Sequence, residues 1–390
     1  MSVTSSFEHG PPSGVGGQIG RLLDTRRVLL CVGCGGVGKT TTAAALALAA
    51  ARRGKRVLCL TIDPARRLAQ SLGLEWASTE ARVVDPALLE RVGVPKAGTL
   101  TIMRVDTKAT FDALVTQLAP SAERRDRILN NVLYRYISTS LAGTAEYMAM
   151  EKLYGLRNDP RYDLIILDTP PTANALDFLD APERLVGAID SPALRWLVQA
   201  LESSGRLSFN LVAKSTAVLL KGLGRLTGSG FLEQVASFIQ EMNALFGGWK
   251  QRAAEVSKAL RGPDVAYVLV TTPDPLAIRE VVFFAERLRT EQMRPDVFVV
   301  NRVSPKLDAS DAKAAEELSG IGLEPKPELL AKCAEALKDA ATNGKLDRIH
   351  LLSLEPTVED FAVPMVKVPT FASDVYDLEA LSEISRTLAP

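Results

Sequence analysis

Apolar, β-branched residues gather in short runs along the chain: RRVLLCVG (26–33), RVLCLTID (56–63), TLTIMRVD (99–106), DLIILDTP (163–170), VAYVLVTT (265–272) and DVFVVNRV (296–303). Each run is apolar on both faces, the pattern of a parallel strand covered by helices on either side. Between the first two lies TTAAALALAAARRG (41–54), which has helical composition and a glycine as its stop. The alternation predicts an α/β protein with a doubly wound, mostly parallel sheet. In such folds ligands collect at the carboxyl ends of the strands.

Two segments, 107–156 and 178–262, break this alternation with long helical stretches and no strand signal. They are expected to form a helical subdomain inserted into an α/β core made of 21–106, 157–177 and 263–390. The second is rich in Leu, Val and Phe. Its apolar stripes either pack on one another or form a groove for an apolar partner segment, and the pattern alone leaves both open. Near the C-terminus, Leu378, Leu381 and Ile384 recur at helical spacing beside an acidic polar face. That face suits packing on the core rather than a membrane surface. Residues 1–20 are polar and rich in Gly, Ser and Pro, so a disordered tail is expected there.

Composition acts mainly by exclusion. The chain has 390 residues, long for one compact domain. Its 46 basic and 46 acidic side chains balance, which gives no broad electrostatic grip on nucleic acid. Four cysteines (Cys31, Cys34, Cys59, Cys333) make no disulfide framework. His9 and His350 are the only histidines, which leaves little room for histidine-based metal or triad chemistry. There is no apolar run of signal-peptide type at the start and none long enough to span a bilayer. A cytoplasmic protein is the expectation.

The candidate chemistry begins with CVGCGGVGKTT (31–41), which follows a strand and opens a helix. A glycine-rich turn in that setting wraps backbone N–H groups around phosphate oxygens, and the helix N-terminus favours the same anion. Gly35, Gly36, Val37 and Gly38 are the expected cradle for ATP or ADP. Lys39 is expected to reach the β- and γ-phosphates, Thr40 to bind Mg²⁺ through its hydroxyl, and Thr41 to touch the α-phosphate. Asp63, ending the strand in TIDPARRL, is a candidate to orient the attacking water, or else caps the next helix. Asp168, ending LIILD, is the expected second carrier of Mg²⁺, through water. Pro170 and Pro171 stiffen the turn that follows. Cys31-x-x-Cys34 has metal-site spacing, but it lies on the strand and the loop, where a metal would distort the cradle.

The deviant loop, Asp63-Pro64-Ala65 and Asp168-Thr169-Pro170-Pro171-Thr172 together resemble the arsenite-pump ATPase (ArsA) family, which includes the eukaryotic ATPase that delivers tail-anchored membrane proteins. The similarity runs from about residue 25 to 385. SLAGTAEYMAMEKL (140–153) and NALDFLDAPERL (174–185) look most like a bacterial subgroup of paired, unequal subunits. The resemblance implies a Rossmann-like P-loop NTPase of the SIMIBI type with an inserted helical subdomain, acting as a dimeric ATPase. It implies that Asn301 reads adenine and that the loop at Val368, Pro369, Thr370 and Phe371 packs on the ring.

The chain also departs from the family. It has no cysteine between 60 and 332, so the arsenite pump's metalloid site is missing, and no late CxxC pair to clamp a dimer through zinc. Cys34 stands where the family's signature lysine reaches across the dimer to the other subunit's phosphates. Arg66 and Arg67 are the nearest local cations that could substitute for it. The reading is an Mg²⁺-dependent ATPase subunit paired with a paralogue that retains the lysine, or with a second copy of itself. The alternative is a low-turnover, nucleotide-gated carrier of an apolar polypeptide client.

Overall fold

The computed structural model of the protein describes residues 15–62, 67–72, 79–140, 144–169, 176–192, 229–307, 310–371 and 374–390. Its strands are β1 (Val28–Val32), β2 (Arg56–Thr61), β3 (Arg82–Val83), β4 (Thr99–Arg104), β5 (Leu164–Asp168), β6 (Val265–Thr271), β7 (Val297–Val303) and β8 (Met365–Pro369). They join one eight-stranded sheet in the order β3-β4-β2-β5-β1-β6-β7-β8. Every pairing is parallel except that of β3 with β4. The central strands β1, β5 and β6 are buried at every position, as two-sided apolar runs require. The runs at 26–33 and 163–170 thus become nearest neighbours, with Val28 opposite Ile165 and Cys31 opposite Asp168.

The helices of the described residues are α1 (Val15–Thr25), α2 (Lys39–Arg52), α3 (Arg67–Ser71), α4 (Pro86–Arg91), α5 (Thr107–Leu118), α6 (Ala122–Leu129), α7 (Val132–Ser140), α8 (Thr144–Leu156), α9 (Leu176–Ile189), α10 (Ser229–Leu260), α11 (Pro275–Thr290), α12 (Asp311–Gly320), α13 (Pro327–Leu351), α14 (Glu355–Phe361) and α15 (Leu378–Leu388). Helix α2 is the alanine-rich segment, and its run from Thr42 to Ala51 is wholly buried. Small side chains let it lie close on the sheet. Leu378, Leu381, Ile384 and Leu388 form the buried stripe of α15, which packs against α2.

Residues 15–20 correct the expectation of a disordered tail through position 20. They open α1, because Ile19 and Leu23, one turn apart, are fully buried. A single apolar face on a short glycine-bearing segment was enough to bind it to the core.

The chain divides into two compact units. One comprises 1–104, 159–176 and 263–390, and the other 105–158 and 177–262. The first carries the sheet. In the second, Phe111 stands edge-on between Tyr134 and Trp249, at 5.4 and 5.0 Å between ring centroids. Glu151 and Arg252 form an ion pair at 2.6 Å within the same unit. The stretch 193–228, on which a client groove would chiefly depend, lies outside the described residues.

Candidate functional site

The chain leaves β1 through Gly33, and only glycine fits there, since a Cβ would lie 2.1 Å from the carbonyl oxygen of Val270 on β6. Gly36 and Gly38 then turn the loop with φ of +79° and +91°, angles that L side chains rarely adopt. Gly35 is exposed in the same turn. Helix α2 starts at Lys39 with Gly38 as its N-cap and no side-chain cap. The first amides of the helix therefore face the loop without a side-chain acceptor, the arrangement that suits an anion.

Lys39 is buried and donates from Nζ to the carbonyl oxygen of Cys34 at 2.7 Å. This contact lays its stem along the inside of the loop. Thr40 Oγ1 and Thr61 Oγ1 both donate to Asp168 Oδ2, at 2.8 and 2.9 Å. Asp168 is fully buried at the end of β5, and the two hydroxyls from α2 and β2 both serve one oxygen of its otherwise costly carboxylate. The next residue, Thr169, donates from Oγ1 to the carbonyl oxygen of Cys31 at 2.8 Å, fastening the end of β5 to β1.

A cavity of 530 Å³ opens over these groups. Gly36, Gly38, Lys39, Thr40 and Thr41 line one part of it, and Asn301, Pro369, Thr370 and Phe371 another. Asn301 Nδ2 donates to the carbonyl oxygen of Val37 at 3.0 Å, which ties β7 to the loop. Thr370 N donates to the carbonyl oxygen of Val303 at 3.0 Å, which carries the 369–371 loop alongside β7. Val368 itself is buried beneath. Asp63 to Arg66, and Pro170 to Thr172, lie outside the described residues.

Sequence reasoning missed several lining residues. Gln70 and Ser71 come from α3, Arg302 from β7, and Asp374 and Tyr376 from the approach to α15. The pairing of β7 with β8 brings Arg302 near the segment of Asp374 and Tyr376, and α3 lies against α2, so no local spacing could have announced these residues. Tyr376 is largely exposed, with its hydroxyl held by Asp374 at 2.8 Å.

Cys34 is half-buried at the loop. Burial raises its thiol above the usual range, and the charge of Glu280 on α11 and a hydrogen bond with that carboxylate add to the rise, against the pull of Lys39. At this turn of the loop there is thus a neutral thiol beside an acid. Burial likewise pushes the thiols of Cys31 and Cys59 up.

The donor set at Thr40 and Asp168 fits magnesium: hard oxygens, too few for an all-protein cage, leaving positions to water and phosphate. Among the described residues no cluster of three or more His, Cys, Asp or Glu could hold a metal.

The family model of the anion-transporting ATPases (ArsA ATPases) matches residues 26–322. The chain belongs to this family. It is an ArsA-type ATPase, and the match spans the phosphate loop, Asp168 and Asn301. Similar curated relatives carry the name ATPase GET3. The protein of Schizosaccharomyces japonicus is 24% identical over 370 residues, covering 91% of this chain and 90% of its own. That of Paracoccidioides lutzii is 25% identical over 375 residues, covering 94% and 92%. That of Aspergillus terreus is 24% identical over 369 residues, covering 93% and 91%. The likeness is thus distant in sequence but nearly complete in length. No helix among the described residues of this ATPase is long and apolar enough to cross a membrane.

Proposed function

We propose that the cavity binds ATP with Mg²⁺ and that the chain works as one subunit of an asymmetric dimer, paired with a paralogue that keeps the signature lysine. The observation that carries this reading is the contrast within one loop. Thr40 joins Asp168 and Lys39 lies within the same loop, while Cys34 beside Glu280 offers no cation outward.

In this reading the loop amides and Lys39 hold the phosphates, and Thr40 with Asp168 would hold Mg²⁺. When bound, the ion neutralises charge on the phosphate oxygens. Asp63 orients the attacking water. Asn301, Pro369, Thr370 and Phe371 hold the base. A cation offered across a dimer is worth roughly 10³–10⁵ in rate, or about 4–7 kcal/mol of barrier. A thiol cannot supply it, so this chain completes no site in trans, and its own site depends on the partner's lysine.

Steady-state ATPase assays of the isolated chain and of Cys34→Lys test this. The wild type should turn over slowly and the lysine form faster. Equal rates would sink the asymmetric model.

A second reading, a nucleotide-gated carrier for an apolar polypeptide such as a membrane-protein segment, is favoured by the near-complete length of the match to ATPases named GET3, which extends through both helical segments. A synthetic apolar helix kept soluble by the chain with ATP, and released on hydrolysis, would support it. Indifference to nucleotide would oppose it.

A further inference from the structure

Strand β7 departs from regular geometry where it meets the cavity. Val300 pairs with Lys367 on β8, but Val303 pairs with Pro369, so β7 carries one residue more than its neighbour across this step. The extra length is absorbed at Arg302, whose φ is +57°, a left-handed conformation unfavourable for a long side chain such as arginine. In an unbroken strand Asn301 and Arg302 would face opposite sides of the sheet. The bulge cancels that alternation, and both line the cavity. Bulges beside active sites re-aim side chains in this way. Its flanks are pinned, on one side by Asn301 to the Val37 carbonyl and on the other by Thr370 to the Val303 carbonyl.

The guanidinium so delivered is exposed and makes no hydrogen bond or ion pair among the described residues. Asp374 lines the same cavity, yet its carboxylate accepts from Tyr376 instead. Arg302 also stands beside the 369–371 loop, because its strand neighbour Val303 lies against Pro369 and Thr370. A planar cation at the base end of a nucleotide cavity matches the face of a purine ring better than it matches phosphate.

We propose that Arg302 is a nucleotide-contacting residue that lays its guanidinium on the purine face, and that the β7 bulge serves to put it there. This rests on the reading that the cavity holds ATP. Arg302→Gly and Arg302→Asn separate side chain from strain, since both residues accept a positive φ.

With the full chain, calorimetric titration should show ATP and ADP each weakened about 5- to 30-fold in both variants, the range for a guanidinium on a desolvated ring. Displacement of a fluorescent ATP analogue by inorganic tripolyphosphate should give an unchanged tripolyphosphate affinity. Thermal unfolding without nucleotide should stay level or rise. Wild-type affinity in both variants would overturn the proposal while leaving the cavity's assignment intact. A loss shared by tripolyphosphate would make Arg302 a phosphate ligand and overturn it too. Variants unstable without nucleotide would make the residue structural, also against the proposal. A wild-type chain that binds no ATP would remove the proposal together with the reading it rests on.

Discussion

Gly33 and Gly36 belong to one loop, yet a methyl group added to each meets different physics. At Gly33 it strikes the backbone oxygen of Val270 at 2.1 Å, and a sheet carbonyl cannot step aside. Gly33→Ala should cost about 3 kcal/mol or more, as severe overpacking does. At Gly36 the space is open and only the φ of +79° resists, so Gly36→Ala should cost about 1 kcal/mol and Gly36→Asn less. Urea unfolding of the three variants checks the order. Cys34 yields a second expectation. Because burial and Glu280 raise its thiol, less thiolate exists at pH 8, and iodoacetamide should label it more slowly than free cysteine. Glu280→Gln should speed that labelling, read by peptide mass spectrometry, and an unchanged rate would discount the carboxylate. The contrast also marks what single residues disclosed. Lys39, Thr40 and Asp168 were legible because residue type, spacing and the strand before them agree. Glu280 and Arg302 were not, because a helix packed on the loop and a bulge in a strand give them their places.

Among the elements, the central strands were readable from two-sided apolarity, and α15 from one apolar stripe. Strands β3 and β8 were not. Arg82 and Val83 are both exposed, and β8 alternates burial through Lys367 before ending in proline at the sheet edge. Pairing partners, not intrinsic preference, decide such strands. Helix α15 lies on α2, with Arg52 donating to the carbonyl oxygen of Val92 at 2.9 Å and to Ser385 Oγ at 3.1 Å. Leu381→Ala should therefore destabilise by about 2–5 kcal/mol, measured by chemical denaturation. The openings of β2 and β5 are fastened by Asp163, which accepts from the backbone N and side chain of Arg56. The hydrogen bonds from Arg56 lower its carboxyl to about 2. A folded value below the unfolded one stabilises above the unfolded value, near 4, and that gain is lost as pH falls through about 2. Wild type should then exceed Asp163→Asn in melting temperature at neutral pH, with the gap closing between pH 4 and 2. A constant gap would refute the linkage.

For the molecule as a whole, bound nucleotide should appear as stability. A ligand at 100 times its dissociation constant adds about 2.7 kcal/mol, so saturating Mg²⁺ and ATP should raise the melting temperature by about 5 °C or more. Asp168→Asn should abolish the part of that rise that needs Mg²⁺, and a full rise in chelator would argue against the metal's place there. The sheet order that makes the site also sets a schedule for synthesis. β1 ends at Val32, but its two neighbours begin at Leu164 and Val265. At about 5–20 residues per second the segment VLLCV waits on the order of ten seconds outside the ribosome with neither edge paired. A strand meant for the middle of a sheet is then the most adhesive part of the nascent chain, so holding chaperones should bind the newborn protein before any nucleotide does.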